Sequence, residues 1–326
     1  MKVIVTGAAG FIGYHAATAL LDIGAEVIGI DNLSPYYDVK LKEARLARLE
    51  GRAGFAFRLL DITDHASMTK LAADNGDTTH VLHLAAQAGV RHSLTHPEDY
   101  IQTNLVGHFE VLEACRQLPD LAHLVYASSS SVYAGLERLP YSETDPVDTP
   151  VSLYAATKKA DELITHTYSH LYRMPATGLR FFTVYGPWGR PDMSAMIFTR
   201  AILAGEPIDV FNHGDMRRDF TYIDDIVAGV MACLRAPPAD DGEQAPHRVY
   251  NIGNNRSEEL MRFIALIEDA CGRKAEIRFQ PIQQGDIKET WADITSIKRD
   301  LGFAPKTTID DGIPRCVAWY REFYGA

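Results

Sequence analysis

The chain opens on a short, wholly apolar run, Val3-Ile4-Val5, with none of the polar alternation expected of a strand with one wet face. Such runs suit parallel strands buried on both sides. β-rich runs at 2–6, 26–30, 55–60, 80–84 and 122–127 alternate with helical periodicity at 12–23, 65–73, 99–116 and 152–172, and 177–182 reads as a sixth strand. This order predicts an α/β fold, a Rossmann doubly wound parallel sheet. The second half is less regular. Pro187, Gly189, Pro191, Gly205 and Pro207 cut it into short pieces, helices are expected at 224–234 and 257–270, a strand at 248–252, and two helices within 291–324. Residues 237–246 read as a surface loop. Length and the change in regularity predict two domains, 1–185 with about 222–252 and a smaller mixed α/β unit, about 186–221 with 253–326.

Between the first strand and the first helix stands Gly7-Ala8-Ala9-Gly10-Phe11-Ile12-Gly13. Glycines there allow a tight turn and close approach of a pyrophosphate, while the helix start offers free N–H groups and a positive dipole end. At the end of the second strand, Asp31 is placed to accept hydrogen bonds from ribose hydroxyls and to repel a 2′-phosphate. Asn32 follows in place of a phosphate-binding arginine, so NAD is expected rather than NADP. Asp61-Ile62, after the third strand, is placed to meet the adenine.

Tyr154 and Lys158 lie four residues apart at the start of a helix, on one face. A free tyrosine, with a pKa of ~10, is a poor base at neutral pH. A lysine ammonium and a cationic nicotinamide beside it would stabilise the phenolate, which could then take a proton from a sugar hydroxyl. Four serines, Ser128 to Ser131, are expected after the fifth strand, at the ligand edge of such a sheet. They are either substrate hydroxyl partners or a polar loop.

Composition narrows the partners. A net charge of −11 speaks against a nucleic-acid surface. No apolar run approaches a membrane span. The glycine motif follows so soon after Met1 that no signal peptide is expected, which points to the cytoplasm. Four cysteines (Cys115, Cys233, Cys271, Cys316) lie far apart, arguing against a zinc or other metal site and against a disulfide framework.

Together these motifs resemble the extended short-chain dehydrogenase/reductase family. The matching pieces are Gly7–Gly13, Asp31-Asn32, Asp61-Ile62, Leu84-Ala85-Ala86, Asn104, the serines with Val132-Tyr133, Tyr154 with Lys158, and Arg218-Asp219-Phe220. Within that family the chain is most similar to the UDP-glucuronate 4-epimerases, through the segments 85–91, 180–193 and 216–225. The resemblance implies an isomerase that retains NAD and works through a 4-keto sugar. It implies Tyr154, Lys158 and Ser129 as catalytic residues. It implies cofactor contacts from Gly7, Gly10, Phe11, Ile12, Gly13, Asp31, Asn32, Asp61, Ile62, Leu84, Ala85, Ala86, Gln87 and Asn104, together with Tyr154 and Lys158. For the UDP-sugar it implies Ser129, Ser130, Ser131, Thr183, Arg190 and Arg218. Arg218 is read either as the diphosphate partner or as a salt bridge to Asp219, and Arg190 either as a pocket residue or as a structural one.

Four departures from related enzymes mark the chain. UDP-glucose 4-epimerases typically carry Asn at the position of Thr183, and hydroxyls there suit a carboxylate. Related dehydratases and UDP-glucuronate decarboxylases place an acid near Ser130-Ser131, whereas no carboxylate lies between Tyr126 and Leu136. Ala134 stands where the family usually has Gly, and Gln283-Gln284 stands where UDP-glucose 4-epimerases carry a second phosphate arginine. The alternatives are UDP-glucose 4-epimerase, UDP-glucuronate decarboxylase and, more remotely, a non-catalytic NAD-binding scaffold. A homodimer is expected from pairing of the helices 99–116 and 152–172, with Leu112, Cys115, Leu163, Tyr168 and Leu171 read as interface or as core.

Overall fold

The structure is a computed structural model describing residues 1–283 and 285–326. Seven parallel strands form one sheet. In chain order they are Lys2–Thr6, Glu26–Asp31, Phe55–Leu59, His80–His83, His123–Ser129, Ala176–Phe181 and His247–Ile252. In space the order runs seventh, sixth, fifth, fourth, first, second, third. The direction of winding reverses between the first and fourth strands, and a crevice opens there at the carboxyl ends. Val3, Val5, Leu82, Leu124 and Val125 are fully buried, as their unbroken apolar runs require.

The expected strands are all present to within two residues at either end. The helix expected over 99–116 is built differently. It starts at Pro97–Tyr100, widens into π-type hydrogen bonding over Ile101–Val106, and returns to α over Gly107–Arg116. Helix 257–270 begins later, at Leu260, because Glu258–Glu259 instead pairs antiparallel with Arg217–Arg218. Among the described residues, two helices longer than one turn escaped the sequence reading. Val39–Leu49 is capped by the Asp38 carboxylate and buries Leu41, Arg45 and Leu49 at a spacing of four. Ser194–Ala204 lies between the very glycines and prolines taken as breakers.

Outside the main sheet are three two-stranded pairs. Thr183–Tyr185 pairs with Phe220–Tyr222, Arg217–Arg218 with Glu258–Glu259, and Ile208–Val210 with Ile277–Phe279. They carry the segments that overhang the crevice. Among the described residues no helix is long and apolar enough to cross a membrane.

A buried polar network ties these parts together. Arg180 Nε and Nη2 donate to Glu162 at 2.8 and 2.7 Å, and Ser128 Oγ donates to the same carboxylate at 2.7 Å. Arg180 Nη1 continues to Tyr133 Oη, which donates to Asn251, whose amide donates to Tyr141 O. One chain of bonds thus joins the fifth, sixth and seventh strands to the helix Leu153–Tyr172. Burial pushes the Glu162 carboxyl up, but Arg180 and Ser128 pull it down further, so it stays below the ordinary range. Its contribution to stability is therefore full at neutral pH and fades only as pH falls below the usual carboxylate range. Glu162→Ala, which strands Arg180 in the interior, is expected to cost about 3–5 kcal/mol in denaturant unfolding at pH 7.

Candidate active site

The crevice holds a cavity of about 1210 Å³, larger than one drug-sized ligand needs. At one end lies the glycine turn. Gly7 has φ +70°, and a Cβ on it would meet Ala85 N at 2.8 Å. A Cβ on Gly13 would lie 2.0 Å from Gly7 O. These two glycines let the helix Phe11–Asp22 start directly against the strand. Gly10 caps it with no side-chain bond, so the first turn keeps free donors. Opposite, Thr6 Oγ1 accepts from Leu84 N and Ala85 N at 3.1 and 3.0 Å and fixes the second wall. This cradle fits a pyrophosphate on backbone amides.

Asp31 accepts from Ala9 N and Leu33 N, and Lys42 Nζ stands 4.0 Å from it. Arg45, fully buried, donates to Ala9 O, Tyr37 Oη and Trp188 O and so pins the glycine loop to the turn at Trp188. Gly7, Gly10, Phe11, Ile12, Gly13, Asp31, Asn32, Ile62, Leu84, Ala85, Ala86 and Gln87 all line the cavity. Two expected cofactor contacts do not. The Asp61 carboxylate accepts from Asn32 and Thr63 instead. Asn104 sits behind the wall, accepting from Gln87 N and donating to Gln87 O and Thr157 Oγ1. The π-type turn aims this amide inward, where it ties the Gln87 loop to the Tyr154 helix.

At the other end, Ser152 caps the helix Leu153–Tyr172 by accepting from Ala155 N. That start points Tyr154 and Lys158 into the cavity. Lys158 Nζ donates to Ala127 O at 3.1 Å and to Asp161 at 2.9 Å. Burial pushes its ammonium down, but Asp161, Tyr154 and Glu162 more than offset this, and it stays above the ordinary value. The serines do not all follow the fifth strand. Ser128 and Ser129 complete it and Ser130-Ser131 begin a tight turn. All four serines and Thr183 border the cavity, but Ser128 spends its hydroxyl on Glu162. Ala134 takes an ordinary φ of −58°, and the left-handed residue is the next one, Gly135, at φ +100°. The substituted position therefore carries no backbone strain.

Arg218 does not pair with Asp219. Its Nη2 donates to Asp286 at 2.7 Å, and Arg91 reaches the other oxygen of that carboxylate at 3.3 Å. Asp219 is fully buried and accepts from Asn254 N, Ala292 N and Thr221 Oγ1, clamping the segments on either side of Arg218. Burial nonetheless pushes its carboxyl up to about 6. The Arg190 guanidinium is bonded to Asp192 at 3.0 and 2.6 Å and packs over Tyr36, while still lining the cavity. Gln284 lies outside the described residues. Lys42 and Arg91 were not singled out from the sequence as binding residues. Arg91 had its signal in the segment 85–91, and Lys42 had none without the missed helix. Among the described residues no three His, Cys, Asp or Glu side chains gather as a metal site.

The comparisons with known proteins agree with this geometry. The model of the NAD dependent epimerase/dehydratase family matches residues 3–253. The chain belongs to that family. A probable UDP-glucuronate 4-epimerase of Rhizobium meliloti (strain 1021) is 44% identical over 99% of this chain and 98% of its own length. UDP-glucuronate 4-epimerase 1 of Arabidopsis thaliana is 44% identical over 100% of this chain and 78% of that protein. The crystal structure of UDP-glucuronic acid 4-epimerase from Bacillus cereus, in complex with UDP-glucuronic acid and NAD, superposes with a TM-score of 0.91 at 34% identity. That match covers 99% of this chain and 100% of the other. The protein is thus an NAD-dependent enzyme of the epimerase/dehydratase family. Gly13→Ala, by driving a methyl group into Gly7 O, should weaken NAD binding by about tenfold or more in calorimetry.

Proposed function

We propose that the protein interconverts UDP-glucuronate and UDP-galacturonate by 4-epimerisation. The observation that carries this reading is the hydroxyl cluster Ser129, Ser130, Ser131 and Thr183 on the cavity wall, beside Tyr154 and Lys158 and with no carboxylate between residues 126 and 136. The glycine cradle and Asp31 would hold the dinucleotide, whose chemistry there would be to accept and return a hydride. Tyr154 holds the proton of the sugar 4-hydroxyl, taking it as the carbonyl forms and giving it back on the way out. Lys158 stabilises the phenolate in between, and Ser129 positions the oxygen. No net proton or electron leaves the site, so one dinucleotide serves successive cycles.

The serines and Thr183 donate to the C6 carboxylate and fix its orientation at the 4-keto stage, when the sugar is a β-keto acid prone to lose carbon dioxide. Arg218 and Arg91, which share the Asp286 carboxylate, face the diphosphate. Arg190 braces the loop through Asp192. In this reading residues 1–185 with about 222–252 form the cofactor domain, and about 186–221 with 253–326 the sugar domain. Cytoplasmic operation suits the four buried free thiols.

The test is incubation of purified protein with UDP-glucuronate, without added NAD, followed by product separation. UDP-galacturonate alone is the expected product, and UDP-xylose or a 4-keto pentose would overturn the reading in favour of a decarboxylase. Tyr154→Phe should lower turnover by about 10²–10⁴-fold. Thr183→Val should release UDP-pentose beside the hexuronate.

A homodimer is part of the same proposal. Leu112 and Cys115 are core residues, which removes them from the expected interface. Leu163 and Leu171, at 56% and 61% exposure, join Phe109 and Tyr172 as an apolar face on the two helices. Leu163→Glu combined with Leu171→Glu should reduce a two-chain particle to a single chain in sedimentation.

A further inference from the structure

Beneath Tyr154 the interior carries one carboxylate more than its pairing explains. Glu162 is matched on both oxygens by Arg180 and again by Ser128. Asp161, beside it on the same helix, is not. Its side chain is fully buried, its Oδ2 takes Lys158 Nζ at 2.9 Å, and its Oδ1 meets no hydrogen-bond donor among the described residues. A buried carboxylate oxygen without a partner is costly, and in native proteins it marks either a structural compromise or a functional group.

The surroundings favour the second. Tyr154, Lys158 and Asp161 follow at intervals of four and three on one helical face, with the ammonium in the middle. No other formal charge touches Lys158, whose second bond goes to the carbonyl of Ala127. The imidazoles and the phenol packed around the cluster stay neutral. Burial pushes the imidazole of His83, on the fourth strand, well down, and holds that of His108, on Gly107–Arg116, at about 3; Lys158 adds to both effects. The phenol of Tyr126, on the fifth strand, is pushed well up by burial and by Glu162 and Asp161. Glu162 is held ionised by Arg180.

From Tyr154, a lone ammonium is a full positive charge. An ammonium with a carboxylate 2.9 Å away is a dipole, whose field is weaker and falls off faster. We propose that Asp161 is a positioning residue that holds the Lys158 ammonium and offsets part of the charge it presents to Tyr154, so that the pH at which the base becomes available is set by a triad. The proposal rests on the epimerase reading of Tyr154 and Lys158. Burial pushes the Asp161 carboxyl up to about 6 against the pull of Lys158, so its charge changes within the range of an ordinary assay. Ionised Asp161 damps the base; protonated Asp161 releases the whole field of Lys158. The two titrations oppose each other and belong to the pair rather than to either residue.

The experiment compares wild type with Asp161→Asn, which keeps the shape and an acceptor for Lys158 but removes the charge. The rising limb of the pH–rate profile for UDP-glucuronate epimerisation should move about one pH unit lower in the variant. In the NAD-bound protein, without substrate, the ultraviolet phenolate signal that Tyr154→Phe abolishes should move by the same amount. Curves that coincide with wild type overturn the proposal. So does a shift to higher pH, which would mean that Asp161 chiefly keeps Lys158 protonated. In wild type itself the phenolate signal should rise over a wider pH range than a single-proton titration, and a single-proton curve overturns the proposal even if the variant does not fold. A shifted phenolate signal in a protein that makes no UDP-galacturonate would sink the epimerase reading while supporting the role of Asp161.

Discussion

The bidentate pair between Arg180 and Glu162 is the contact on which the site depends. It lies where the fifth and sixth strands meet the helix that carries Tyr154 and Lys158. It fixes the strand end that presents Ser129 through Ser128, and it reaches the seventh strand through Tyr133 and Asn251. Isolated, either charge would be expensive in this interior; paired and fully hydrogen-bonded, they allow only one arrangement of three strands and a helix. The chemistry one helical turn away inherits that rigidity.

The two ends of the cavity are built by different physics. At the dinucleotide end the chain supplies mostly backbone: glycines without side chains, free amides at a helix start, and Thr6 holding the facing turn. At the sugar end it supplies hydroxyls and paired charges, with Arg218 held by Asp286 and its flanking segments by Asp219. This division suits a cofactor that stays and a sugar that must turn over. A dinucleotide gains from a close-fitting surface, whereas a rotating ring needs a few fixed anchors around open space.

How far the sequence could be read follows from the same division. The sheet was legible because strands buried on both faces must be apolar throughout, and the cofactor turn because glycine spacing is a local steric requirement. Tyr154 and Lys158 were legible because a spacing of four is itself the geometry that joins them. Lys42 was not, because nothing local distinguishes a pocket cation from a surface one. Asn104 was read as a cofactor contact, but its amide is used up on Gln87 and Thr157 behind the wall, a pairing between residues distant in sequence.

By itself the sequence determined the doubly wound fold, the glycine turn, the tyrosine–lysine pair on one helical face and the absence of an acid among the serines, since each is a local pattern with a local cause. Only the tertiary structure decided that Arg218 turns to Asp286 rather than to its neighbour Asp219, that the Ser128 hydroxyl serves Glu162, and that Leu112 and Cys115 are core. It alone shows Asp161 sealed beside Lys158 with one oxygen unmatched. In each case the deciding quantity is the partner a side chain meets and the water it loses, and both depend on segments brought together only by folding.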